Sequence, residues 1–135
     1  METRFQAAPS ASSEIRLESV TPVLRIFDAA RAREFYVDFL GFQWDWEQRL
    51  FDQAPVYAQV SRAGLVLHLS EHHGDGSPGV ALIVAVSDVV AFHRELEARN
   101  YTRAVPALTH SEAEGLTLQV FDPFGNRIRF RELRS

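Results

Sequence analysis

Cysteine is absent from this chain of 135 residues. Disulfides, thiolate metal ligands and a cysteine nucleophile are excluded together. No apolar run approaches the roughly 20 residues that a helix needs to cross a bilayer. Residues 1–13 also lack the apolar centre of a secretion signal, so a cytoplasmic protein with no membrane association is expected. A surplus of positive charge is absent as well: 14 Lys and Arg stand against 18 Asp and Glu, and the mild net charge of −4 argues against a nucleic-acid partner and permits attraction of cations. Nor is there a Gly-x-Ser-x-Gly elbow, a phosphate loop or a Gly-x-Gly-x-x-Gly turn, and the serines and histidines show no triad spacing. Bulky apolar material is plentiful. Ten Phe, three Tyr and two Trp within a 46% apolar composition can fill the core of one domain.

Residues 1–14 are small, polar and without periodicity, and read as a flexible tail ahead of a single domain over 15–135. Ser19–Phe27 alternates as a strand, with Val20, Leu24 and Ile26 on one side. Asp28 then stands at a helix N-cap, Ala32, Phe35, Tyr36, Phe39 and Leu40 recur at helical spacing, and Gly41 supplies a left-handed stop. Strands follow at Phe42–Glu47, Val56–Arg62 and Leu65–Ser70. Alternation places Trp44 and Trp46 on one face of the first of these and Asp45 and Glu47 on the other, unless a bulge intervenes. After a Gly-rich linker over 71–79 the pattern restarts. Val80–Val86 reads as a strand, Asp88 as a second N-cap, Val89, Phe92 and Leu96 as a helical stripe, and Tyr101–Val105 as a strand before a polar loop over His110–Gly115. Two β-α-β-β-β modules result, about 19–70 and about 80–133, an α+β architecture whose two sheets would share a hollow, with the helices on the outer, convex side of curved mixed sheets.

The second module closes on Thr117–Glu132, a hairpin whose turn is Asp122-Pro123-Phe124-Gly125-Asn126. Its last strand sends Ile128 and Phe130 to one face and Arg127, Arg129 and Arg131 to the other. The apolar pair belongs to a core with Leu24, Ile26, Leu82 and Val84. The arginine face is where a ligand or a buried carboxylate such as Glu71 or Glu114 would be met.

Pro22–Phe42, Ala81–Asn100 and Leu118–Phe130 together resemble the vicinal-oxygen-chelate superfamily of glyoxalases, extradiol dioxygenases and bleomycin-resistance proteins. The repeat order, the Phe-Tyr and Leu-Gly-Phe of the first helix and the Asp-Pro-Phe-Gly-Asn turn carry the likeness. The resemblance implies a fold of paired modules, often across a two-fold homodimer. In the superfamily's enzymes it also implies a divalent metal on the concave face. The positions that would supply its ligands hold Thr21, Ala81 and Arg129, whose hydroxyl, methyl and guanidinium are poor or impossible ligands, so no metal or other cofactor is expected.

The branch most similar to this chain is the bleomycin-resistance type, which sequesters an antibiotic without turnover. On that likeness the expected role is small-molecule binding by Trp44, Trp46, Tyr57, His68, Gln119 and Arg129, with no catalytic residue assigned. Phe42 adds a further ring, and Asp45, Glu47, Asp52 and Glu71 add negative charge. The aromatic strand residues serve equally as core or dimer packing. Where bleomycin-resistance proteins often carry Pro-Trp-Gly before the hairpin, Ala113-Glu114 precede Gly115 here, which removes one aromatic platform. The alternative is a divergent metal-dependent lyase, isomerase or dioxygenase with a displaced site around His68, Glu71 and Gln119. A third possibility is an accessory subunit with a vestigial hollow. His72, His73, His93 and His110 read as surface residues of loops and a helix.

Overall fold

Each half of the chain builds one four-stranded mixed sheet and one helix, in a computed structural model that describes residues 14–132. The first half runs β1 (Val23–Arg25), α1 (Ala29–Arg33), β2 (Gln43–Gln48), β3 (Tyr57–Arg62) and β4 (Leu65–Ser70). The second runs β5 (Ala81–Ala85), α2 (Val89–Ala98), β6 (Ala107–Ser111), β7 (Gly115–Phe121) and β8 (Arg127–Arg131). Both sheets have the same connectivity, β1-β4-β3-β2 and β5-β8-β7-β6, with a parallel pair at one edge and antiparallel pairs beyond it. The repeated β-α-β-β-β pattern and the α+β class are thus realised.

Local chemistry fixes both helix starts. The Asp28 carboxylate accepts from Arg31 N at 3.1 Å and the Asp88 carboxylate from Ala91 N at 3.0 Å, each satisfying an otherwise orphaned donor. Beyond Arg33 the first helix widens into a π turn over Glu34–Phe39, where Leu40 N reaches back to Phe35 O at 2.9 Å. Phe35, Tyr36, Phe39 and Leu40 are all buried by it, and Gly41 at φ +80° ends the helix. One core serves both modules: Leu24, Ala58, Val60, Leu67 and Leu69 of the first sheet join Leu118, Val120, Ile128 and Phe130 of the second through the helical layer. The Phe92 ring meets Phe130 edge-on at 4.9 Å.

The Asp122–Asn126 turn joins the halves. Buried Asp122 accepts from Tyr36 Oη at 2.7 Å, Asn126 Nδ2 and Asn126 N at 2.8 Å, and Phe124 N at 2.9 Å. Asn126 Nδ2 also donates to Arg25 O at 3.0 Å, and its Oδ1 accepts from Val80 N at 3.1 Å. Burial, together with the adjacent Asp122, drives the Tyr36 hydroxyl well above its ordinary pKa.

Several expectations are corrected. Only Val23–Arg25 of the first expected strand is paired, and Val20, expected on the core side, is exposed. The residues ahead of Pro22 have no neighbouring strand among the described residues; pairing starts where Pro22 O accepts from His68 N. Tyr101–Val105 is not a strand. Asn100 turns the chain at φ +51°, and the Tyr101 ring stacks on Phe39 at 4.8 Å while its hydroxyl donates to Glu34 at 3.0 Å. Those contacts hold it in the helical layer, and the edge strand begins only at Ala107. His110 accordingly lies in β6, opposite Leu116, rather than in a loop. Leu82 and Val84 are half-buried, since β5 is an edge strand. Residues 1–13 and 133–135, most of the expected tail among them, lie outside the described residues.

Candidate functional site

Cross-strand register assigns each side chain to a sheet face, because directly paired residues project the same way. In the first sheet the helix-facing set is Leu24, Ala58, Val60, Leu67 and Leu69, which leaves Val23, Arg25, Tyr57, Gln59, His68 and Ser70 on the open face. A bulge in β2 decides which tryptophan joins them. Trp44 pairs with Val60 but Trp46 pairs with Gln59, so one residue, Asp45, is inserted between them. The two tryptophans consequently occupy opposite faces, contrary to simple alternation. Trp44 turns to the helix side, where the Arg33 guanidinium lies 4.2 Å from its ring centroid and its Nε1 donates to Glu47 at 3.0 Å. It is not part of the open-face group.

Trp46, Tyr57 and His68 are brought together. The Trp46 and Tyr57 rings lie nearly parallel with centroids 6.2 Å apart, and His68 stands edge-on to Trp46 at 5.4 Å and to Tyr57 at 5.2 Å. Both imidazole nitrogens are engaged. Nε2 lies 3.0 Å from Gln59 Oε1, an acceptor only, so Nε2 carries the proton. In the neutral ring Nδ1 then accepts from the Tyr57 hydroxyl at 2.7 Å. Gln59 passes the order on, its Nε2 donating to Asp45 Oδ2 at 3.0 Å. Hydrogen bonds from Gln59 and Ser61 hold the Asp45 carboxyl below its ordinary pKa. Burial, aided by the negative charge of Asp75, raises that of Tyr57. The result is a braced aromatic platform with a fixed carboxylate at its rim. Gln59, which sequence reading missed, is the link; alternation with buried Ala58 and Val60 was the available signal.

The second sheet presents a different open face. Ile83, Gln119, Arg129 and, one pair on, Phe121 and Arg127 share it with Thr117 and Arg131. Gln119 and Arg129 are therefore neighbours, as their candidacy required. Of the two carboxylates considered for Arg129, Glu114 is the one within reach, at 3.5 Å, with a longer contact of 3.9 Å to Arg131. Glu71 instead accepts from Val56 N at 2.8 Å. Among the described residues no hydrogen bond, ion pair or aromatic contact links the Trp46–Tyr57–His68 group to the Gln119–Arg129 group. Two cavities, of about 460 and 440 Å³, lie elsewhere: in the groove between Phe42, Leu65, Val84 and Phe92, and between Arg25, Phe27 and the Gly74–Pro78 loop.

The donor set does not suit a divalent metal. Thr21 is exposed before β1, Ala81 opens β5, and Arg129 stands among cations. For a displaced site, His68 has both nitrogens occupied, Glu71 is turned to the backbone and Gln119 belongs to the other sheet. Among the described residues no group of three His, Asp or Glu side chains is arranged to hold a metal ion. No helix among them is long and apolar enough to cross a membrane.

A family model described as glyoxalase superfamily protein matches residues 6–135. Comparison with curated proteins gives no match. Among solved structures, the bleomycin-binding protein from bleomycin-producing Streptomyces verticillus, complexed with copper(II)-bleomycin, is 28% identical. It aligns over 90% of this chain and 100% of its own with a TM-score of 0.66. A glyoxylase/bleomycin resistance protein/dioxygenase domain from Frankia sp. EAN1pec is 21% identical, over 88% and 100% of the two chains, at a TM-score of 0.70. The bleomycin resistance determinant encoded on the transposon Tn5 is 20% identical, over 88% and 100%, at 0.66.

Proposed function

The chain belongs to the glyoxalase superfamily, and on that premise we propose that it is a small-molecule binding protein of the bleomycin-resistance type, acting without turnover. The observation that carries this reading is the Trp46–Tyr57–His68 platform, held by the Gln59–Asp45 chain on an otherwise open sheet face. Exposed aromatic surface braced by hydrogen bonds is suited to stacking a planar ligand group. His68 is committed on both ring nitrogens, which favours holding over proton transfer. The likeness to the Streptomyces verticillus bleomycin-binding protein supports the same class of role.

The binding unit in this reading is a homodimer. The first sheet's open face carries Asp45 and Trp46, while the second carries Arg127, Arg129, Ile83 and Phe121. Set face to face from two copies, the open faces would enclose the ligand between the Trp46–Tyr57–His68 platform and the Arg127–Arg129 row, and would shelter Trp46, Ile83 and Phe121, which are 38–54% exposed in the single chain. Light scattering should give twice the 15.3 kDa chain mass at micromolar concentration. A monomer throughout would overturn the dimer.

Binding itself is tested with a panel of cationic, neutral and anionic compounds that includes copper(II)-bleomycin. At least one class should raise the melting temperature saturably and be recovered chemically unchanged by mass spectrometry. Conversion of the bound compound would establish an enzyme instead. No stabilisation by any class would remove the binding reading.

A further inference from the structure

We infer that the open face of the second sheet binds an organic anion, an apolar body carrying a carboxylate head, through Arg127 and Arg129. The inference rests on the small-molecule reading and specifies the ligand's charge. Strand β8 places Arg127, Arg129 and Arg131 on one side at every second residue, so successive Cα atoms stand roughly 7 Å apart. Among the described residues a single carboxylate approaches them. Glu114 lies 3.5 Å from Arg129 and 3.9 Å from Arg131, beyond the roughly 2.7–2.9 Å of a charge-assisted hydrogen bond. Arg127 has no ion pair among the described residues. In a chain whose net charge is −4, this face therefore holds a surplus of cation.

The arginines are also short of partners. Nε of Arg127 and Nε of Arg129 are both buried without a hydrogen-bond acceptor among the described residues. Those Nε atoms are closed to solvent, so a carboxylate meets the outer Nη–H groups, and the Arg129 side chain is 27% exposed there. The parallel N–H groups of a guanidinium fit the two oxygens of a carboxylate. The surroundings of that contact define the rest of the molecule. Register sets Phe121 beside Arg127 and Ile83 beside Arg129, and both apolar residues are 54% exposed. On the other side of Arg129, Gln119 offers a neutral donor and acceptor. Cationic heads between apolar walls favour an amphipathic anion and disfavour an ammonium.

Isothermal titration of the full chain at low salt with 2-naphthoate, 2-naphthamide and 2-naphthylmethylammonium tests the assignment. Naphthoate should bind about tenfold or more tighter than the amide, a difference of one forked, charge-assisted contact, and the ammonium should bind most weakly. Arg127→Gln and Arg129→Gln should each weaken naphthoate about tenfold while leaving the amide unchanged. Glu114→Gln, which removes the one competing carboxylate from a turn, should tighten naphthoate severalfold and keeps the test open if an arginine variant fails to fold. Equal binding of all three compounds, preference for the ammonium, indifference to all three substitutions, or no naphthoate binding at millimolar concentration would each overturn the assignment. Binding of the amide or the ammonium with those failures would leave the small-molecule reading intact. Failure of every compound here and in the wider panel would remove both.

Discussion

Replacing Asp122 with alanine should cost the protein a large part of its stability. In the native fold that carboxylate accepts four hydrogen bonds, from Tyr36 Oη, Asn126 Nδ2, Asn126 N and Phe124 N, all at 2.7–2.9 Å. After Asp122→Ala, Asn126 Nδ2 keeps Arg25 O and the half-buried Phe124 N can find water. Tyr36 Oη and Asn126 N cannot, because both residues are fully buried. Each orphaned buried donor costs about 1–3 kcal/mol, partly offset by no longer desolvating a carboxylate. A net loss of about 3–5 kcal/mol is expected, from a total that for small domains is about 5–15 kcal/mol. Urea unfolding followed by tryptophan fluorescence at neutral pH measures it. A double-mutant cycle identifies the cause: Tyr36→Phe should cost about 1.5–3 kcal/mol in the native background and much less beside Asp122→Ala, where it removes the orphan. A cost below about 1 kcal/mol for Asp122→Ala, or equal costs of Tyr36→Phe in both backgrounds, would refute the reasoning.

Alkali should destabilise the fold in a defined direction. Tyr36 and Tyr57 have raised pKa values and Tyr101 is raised to about 12, so above pH 10 the unfolded chain has released protons that the folded chain retains. Stability therefore falls as pH rises from about 10 towards 12, chiefly through buried Tyr36 at up to about 1.4 kcal/mol per unit, with smaller, solvent-screened contributions from Tyr57 and Tyr101, and Tyr36→Phe should flatten that slope in pH-resolved unfolding curves. Leu40→Ala, at a fully buried site, should cost about 2–5 kcal/mol in the same assay. The bulge at Asp45 predicts a division between the tryptophans. Trp44→Ala should lower stability by about 1–2 kcal/mol through lost packing and the Arg33 contact, with little effect on ligand affinity. Trp46→Ala should weaken binding of a stacking ligand at least severalfold, with little effect on stability.

Alternation and capping made the fold legible in the sequence. Asp28 and Asp88 do in the structure what N-cap aspartates are chosen for, and the 2-residue period of β3, β4, β7 and β8 separates the core face from the open face, apart from buried Ser70 and Thr117 on the open side and exposed Leu116 on the core side. Where the sequence misled, tertiary contacts had overridden local pattern. Tyr101–Val105 alternates like a strand, but Tyr101 gains more by stacking on Phe39 and bonding Glu34. The Asp45 bulge has no residue-type marker, yet it reverses every later side chain of β2, so Trp44 could not be distinguished from Trp46 in advance. Tyr57 and His68 were legible as open-face residues. Gln59, which ties His68 to Asp45, was not singled out because its importance lies in contacts between three strands.

Proton–nitrogen chemical-shift mapping with the compound that most stabilises the folded protein tests the central claim most directly. The perturbed resonances should be those of the open faces: the Trp46 indole and the amides of Tyr57, Gln59 and His68 in the first sheet, with Gln119 and Arg129 in the second. Shifts confined to the groove lined by Phe42, Leu65, Val84 and Phe92, or to the helical layer around Phe35 and Phe39, would contradict it.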